Sequence, residues 1–107
     1  MNKDICELIE YPKKGILSKK IIENKESETT LFCMAEGTKI SEHTSTKPGI
    51  IYIVEGKGIF NLGGKDIKMQ KNVFIFMEKN IVHSLTANEN TSFLLILFKI
   101  DKNQYRN

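Results

Sequence analysis

An all-β sandwich or barrel is the fold class that this sequence predicts, on three observations. Short apolar runs recur at intervals of roughly 8–12 residues from Thr29 onward. Turn residues punctuate them at Glu36-Gly37, Pro48-Gly49, Gly56 and Gly58, Gly63-Gly64 and Ala87 to Asn90. No long stretch carries apolar residues at a helical period.

Taken in order, Ile5, Leu8 and Ile9 share one helical face, which allows a single turn of helix. Tyr11-Pro12 ends it, because the residue before proline is driven out of the helical region. Ile16 to Ile22 reads as a strand and Asn24 to Glu28 as a charged turn. Thr29 to Ala35 is rich in residues that suit a pleated, buried surface. After the turn at Glu36-Gly37 comes a polar strand that carries His43. Ile50 to Glu55 is apolar on both faces and is therefore predicted to be covered on both. Ile59 to Leu62 continues beyond the glycine turn, and Gly63-Gly64 signals a two-residue hairpin. Ile67 to Met69 and Val73 to Met77 give two more strands, parted by Gln70, Lys71 and Asn72. Ile81 to Thr86 and Ser92 to Ile100 complete the set. The division that follows is an N-terminal extension over 1–28, a barrel over 29–100 and a polar tail over 101–107.

The chain has 107 residues, the size of one domain, with 40% hydrophobic and 27% charged residues as in ordinary globular proteins. Its 16 basic and 13 acidic residues are dispersed, giving a net charge of +3. No basic block interleaves with aromatics, which argues against a nucleic-acid partner. Met1 to Lys14 lacks the apolar segment of a signal peptide. The longest apolar run, Phe93 to Phe98, falls far short of the ~20 residues that span a bilayer. A cytoplasmic protein with no membrane partner is the expectation. Cys6 and Cys33 have no C-x-x-C spacing and no adjacent histidine, so they read as reduced thiols, with Cys33 in the core.

The stretch from Gly37 to Phe60 resembles the first motif of the cupin family, small jelly-roll barrels also described as double-stranded β-helices. That motif runs G-x5-H-x-H-x3-E-x6-G. Gly37, His43 and Gly56 fall in register, while Ser45 stands at the second histidine and Gly49 at the glutamate. The family's second motif, G-x5-P-x-G-x2-H-x3-N, is similar to Asn72 through Ala87. His83 matches its histidine, and Asn72, Glu78, Asn80 and Ala87 replace glycine, proline, glycine and asparagine. Asparagine suits the two glycine positions because it enters left-handed conformations more readily than most residues. The likeness covers Leu31 to Phe98, and short single-domain members of the family look similar in length.

The resemblance implies a double-stranded β-helix with a short N-terminal extension and a small molecule held in the barrel. In such proteins both first-motif histidines, the glutamate and the second-motif histidine hold one divalent metal. H-x-H works because residues two apart on a strand share a face. Here only His43 and His83 remain, so the reading is a binding module without a complete metal site and with no cofactor. The alternative implied by the family is a metal-dependent enzyme of isomerase or dioxygenase type. It would use His43 and His83 with weakly held zinc, nickel or copper.

His43, Ser45, Tyr52, His83, Met34 and Phe76 are the candidate pocket residues. Blander readings stand beside them. His43 could be a surface histidine next to Glu42, and His83 a core histidine bonded to backbone. Ser45 lies between Thr44 and Thr46 in what reads equally as a polar loop. Tyr52 reads as packing with its hydroxyl at an edge. Met34, Met69, Met77, Phe60, Phe74 and Phe76 read as core, some of it lining an apolar pocket. No nucleophile with a base and an orienting group can be picked out, so no catalytic residue is assigned. Apolar residues on both faces of Ile50 to Val54 and Phe93 to Phe98 predict a second buried face, supplied by a homodimer. Ile16 to Ile22 is the strand available to pair with the partner.

Overall fold

The computed structural model describes residues 1–99, which form a short N-terminal helix and two antiparallel sheets. Ile100 and the tail over 101–107 lie outside the described residues. The helix α1 spans Ile5–Leu8. Nine strands follow: β1 Ile16–Glu23, β2 Ser27–Met34, β3 Lys39–His43, β4 Gly49–Glu55, β5 Gly58–Leu62, β6 Lys65–Met69, β7 Phe74–Met77, β8 His83–Ala87 and β9 Thr91–Phe98. One sheet has the order β1-β2-β9-β4-β7 and the other β3-β8-β5-β6. This is a jelly roll, in which consecutive strands cross repeatedly from one sheet to the other.

Most elements sit where the residues place them. Asp4 caps α1, its carboxylate accepting from the Cys6 N–H at 3.1 Å, and the chain is extended again by Ile9. Gly63 and Gly64 both have positive φ, 58° and 92°, and connect β5 to β6 as a tight hairpin closed by the Leu62–Lys65 pair. Two boundaries differ from expectation. The Asn24 side chain accepts from the N–H groups of Glu26 and Ser27, which closes the turn early and starts β2 at Ser27. Ile81 and Val82 belong to the loop before β8.

Period-2 alternation sorts the strands into faces. The inner faces bring together Met34, Ile51, Ile53, Phe60, Met69, Ile75, Met77, Leu85, Ala87 and Phe93 as one buried cluster. Full burial of a large apolar side chain contributes about 1.5–3 kcal/mol relative to exposure, so this layer dominates the stability. On the outer face of the five-stranded sheet, Leu31 and Cys33 are also fully buried. The segment after α1 reaches Cys33. Tyr11 lies beside Ser92, Glu55 and Cys33, and burial pushes its phenol up to about 12.

Farther along the same outer face the cover stops. Phe74 is 60% and Phe76 52% exposed on the edge strand β7. Ile50, Tyr52 and Val54 are half-buried on β4, so the expected double coverage of that strand is met on one side only. β1 pairs with β2 of its own chain from Ile16–Met34 to Glu23–Glu28, so the strand considered for exchange has an intrachain partner.

Among the described residues the only non-glycine positions with positive φ are Asn72 (73°) and Asn80 (67°). They are the two positions where asparagine replaces glycine of the family motif. Asn72 N–H donates to the Ile53 carbonyl at 2.9 Å and Asn80 N–H to the Ser45 carbonyl at 2.7 Å, which holds both turns against neighbouring segments. An added penalty of roughly 1–2 kcal/mol falls on an ordinary side chain held left-handed. Asn80→Ala should therefore lower the unfolding free energy by about 1 kcal/mol while Asn80→Gly changes it little. Urea denaturation of the two variants checks this, and equal stability of the two would contradict the backbone argument.

Candidate functional site

The site begins with an irregularity in β3. Ile40 pairs with Leu85, but the next pairing toward β8's start joins His43 to His83. Three steps along β3 match two along β8, so one extra residue is accommodated as a β-bulge. Without it, strict alternation would set Glu42 opposite His83. With it, Ile40 and His43 both line the barrel's cavity, His43 as an exposed residue, and Glu42 borders an outer groove with Lys39, Ser84 and Thr86. The two imidazole rings then lie 4.0 Å apart, tilted by 59°.

A cavity of about 240 Å³ opens around them. The large sheet contributes Ile16, Phe32, Ile51, Met77, Phe93 and Leu95 to its wall. The small sheet contributes Ile40, Phe60, Leu85 and the two histidines. No lining residue is acidic or basic apart from the imidazoles. Flat walls come from Phe32 on Phe93, stacked at 5.2 Å, and from Phe60 lying parallel to His83 at 5.9 Å.

Hydrogen bonding decides which ring nitrogen is free. His43 Nδ1 is 2.9 Å from the Ser41 carbonyl and His83 Nδ1 is 3.0 Å from the Ile81 carbonyl. A carbonyl only accepts, so both Nδ1 atoms carry a proton, and the neutral form of either ring leaves its Nε2 as an acceptor. Neither Nε2 is hydrogen-bonded among the described residues. Burial holds the His83 pKa below its usual value, with the nearby His43 adding to the effect. His83 is therefore held neutral, its exposure only 5%.

Of the residues picked from sequence, His43 and His83 come together and the other four do not. Met34 is buried in the core cluster but does not line the cavity. Tyr52 and Phe76 alternate to the outer face of their sheet, where the Tyr52 hydroxyl donates to Asn72 Oδ1 at 2.5 Å and Phe76 meets solvent. Ser45 lies past the end of β3, its Oγ accepting from the Lys47 N–H at 3.1 Å in a polar turn. Sequence reasoning did not name Ile16, Phe32, Ile40, Ile51, Leu85, Phe93 and Leu95 as pocket residues. All but Ile40 lie in runs read as strands, but nothing local says which apolar residues surround a void rather than fill it.

The two imidazoles do not amount to a resident metal site. No group of three or more His, Cys, Asp or Glu side chains converges among the described residues. Gly49, at the position of the family's glutamate, has no room for a carboxylate. A Cβ there would lie 2.8 Å from the Ile96 carbonyl oxygen and 2.9 Å from Leu97 Cδ2. Leu97 is its pairing partner on β9, so an apolar side chain occupies the space of the missing ligand. Gly49→Glu should lose about 1–3 kcal/mol of stability by overpacking and bind zinc no more tightly than the natural chain. Thermal unfolding and zinc titration read the two effects, and a large gain in zinc affinity would overturn the steric account.

Residues 30–98 match the sequence profile described as cupin domain. No curated protein matches the chain by sequence. Solved structures do resemble it. One is a conserved protein of unknown function from Streptococcus pyogenes, 21% identical, with a TM-score of 0.84 over 94% of this chain and 89% of that one. An RmlC-like cupin from Shewanella frigidimarina is 14% identical, with a TM-score of 0.77 over 84% of this chain and 81% of that one. Salicylate 1,2-dioxygenase from Pseudoaminobacter salicylatoxidans is 13% identical, with a TM-score of 0.74 over 78% of this chain and 25% of that one. Identities this low speak for a shared fold only.

Proposed function

The chain belongs to the cupin family, and from that premise we propose that it binds a small apolar molecule in its barrel without chemistry of its own. The observation that carries this reading is the 240 Å³ cavity, apolar on every side except for two imidazoles. Such a cavity is concave and largely apolar with a few convergent polar atoms, as ligand sites are. Among the described residues lining the cavity, no carboxyl, hydroxyl or thiol side chain stands beside the histidines.

The metal-dependent alternative rests on the same two Nε2 atoms, which could share a weakly held zinc, nickel or copper ion. Two neutral nitrogen donors with no carboxylate make a weaker site than the three protein ligands usual for catalytic zinc. The closed Gly49 position removes the remaining route to a fuller set. The binding reading is therefore preferred.

A library of neutral molecules of up to about ten heavy atoms tests it, since a cavity of roughly 150 Å³ already admits benzene. Ligand-observed NMR should find binders to the natural chain that Leu85→Trp, which fills the cavity from β8, no longer holds. If no molecule binds, or if the hits persist unchanged in the filled variant, the reading fails.

The same proposal includes a homodimer built on the uncovered outer face of β4 and β7. Phe74, Phe76, Tyr52 and Ile50 form an apolar patch there with no charged side chain among them. A two-fold pairing would set the patch against its own copy, which is the commonest way soluble chains bury such a surface. Light scattering on a size-exclusion column should give twice the chain mass for the natural protein. Replacing both Phe74 and Phe76 by lysine should return the mass of one chain. A natural protein that elutes as a monomer at micromolar concentration rules the dimer out.

A further inference from the structure

Resting on the reading of the barrel as a ligand cavity, we infer that its ligand is an uncharged, ring-sized molecule that donates a hydroxyl hydrogen to the bare Nε2 atoms of His43 and His83.

Three features of the cavity select this chemistry. The first is the tautomer. Both Nδ1–H groups are spent on the Ser41 and Ile81 carbonyls, so each ring in its neutral form offers the cavity an acceptor and no donor. A ketone, ester or ether would enter with its oxygen unpaired, whereas an O–H group satisfies itself and an orphan nitrogen together. The second feature is charge. With no Asp, Glu, Lys or Arg in the wall, a carboxylate entering beside neutral imidazoles would lose its water and meet no cation, and an ammonium would meet no anion. The third is shape. The Phe32–Phe93 stack and the Phe60 ring lying parallel to His83 give the cavity flat apolar walls, and its volume admits one substituted ring.

The direct opposition of the two histidines adds a geometric preference. They are paired across β3 and β8 with ring centroids 4.0 Å apart, in van der Waals contact, so a hydroxyl bonded to one Nε2 approaches beside the other ring rather than between the two. Phenols suit this arrangement better than aliphatic alcohols. Their more acidic hydrogen makes a stronger bond to imidazole, and their ring lies flat against the phenylalanines.

The probes are p-cresol, its near-isostere p-xylene, and the anion 4-methylbenzoate, titrated calorimetrically into the full chain at about pH 8, where imidazoles are neutral. Both neutral probes should bind and the anion should not. His83→Leu should lower the ratio of p-cresol to p-xylene affinity by about fivefold or more, the worth of one ordinary hydrogen bond. Long-range proton–nitrogen NMR on the natural chain gives a readout that needs no variant. Both histidines should show the Nδ1–H tautomer, and p-cresol but not p-xylene should shift the Nε2 resonances. If p-xylene binds while p-cresol leaves Nε2 unmoved, or if 4-methylbenzoate binds as well as p-cresol, the inference is overturned and the cavity reading stands. If neither neutral probe binds, the cavity reading falls and the inference with it.

Discussion

The structure depends on two sheets having to bury one apolar layer between them. Met34, Ile51, Ile53, Phe60, Met69, Ile75, Met77, Leu85, Ala87 and Phe93 meet there, drawn from both sheets. Once that layer closes, anything polar placed in it must find a partner inside the protein, because water no longer competes for it. His83 shows the consequence. It sits among these residues at 5% exposure, its Nδ1–H satisfied by the Ile81 carbonyl and its charged form disfavoured by desolvation. The cavity's chemistry is what remains after the backbone has claimed one nitrogen of each imidazole.

A single extra residue in β3 determines what faces His83. The bulge between Ile40 and His43 places an imidazole, rather than the Glu42 carboxylate, across the ladder. A glutamate there would have given a charged pair and a very different ligand preference. At the far side of the large sheet, Gly49 and Leu97 close the position where the family's metal sites have a carboxylate. These local facts act in the same direction, toward a neutral, apolar interior. They also explain how the chain keeps the family fold while its barrel holds two histidines and no third ligand group among the described residues.

Coverage of the outer face is uneven. Tyr11, in the segment after α1, lies beside the buried Cys33 on the β2 side. Phe74 and Phe76 remain at the surface, on the strand whose other edge is unpaired. The homodimer proposed above would cover that face.

The residues by themselves determined the strands, their turns and the family. Glycine pairs, the left-handed asparagines at 72 and 80, and apolar runs of strand length are local signals, each readable within a few positions. They also brought His43 and His83 to notice together. What they left open was facing. β4 and β7 are apolar at both odd and even positions, so alternation carries no sign there, and Tyr52 and Phe76 went to the outer surface instead of the pocket. Ser45 shared the parity of His43, but the strand ended before that parity could act. The bulge, the void around Leu85 and the occupation of the Gly49 position by Leu97 were decided only by tertiary structure. Each depends on which strand lies alongside and how completely two distant surfaces fill the space between them, and neither is written in the order of residues along one strand.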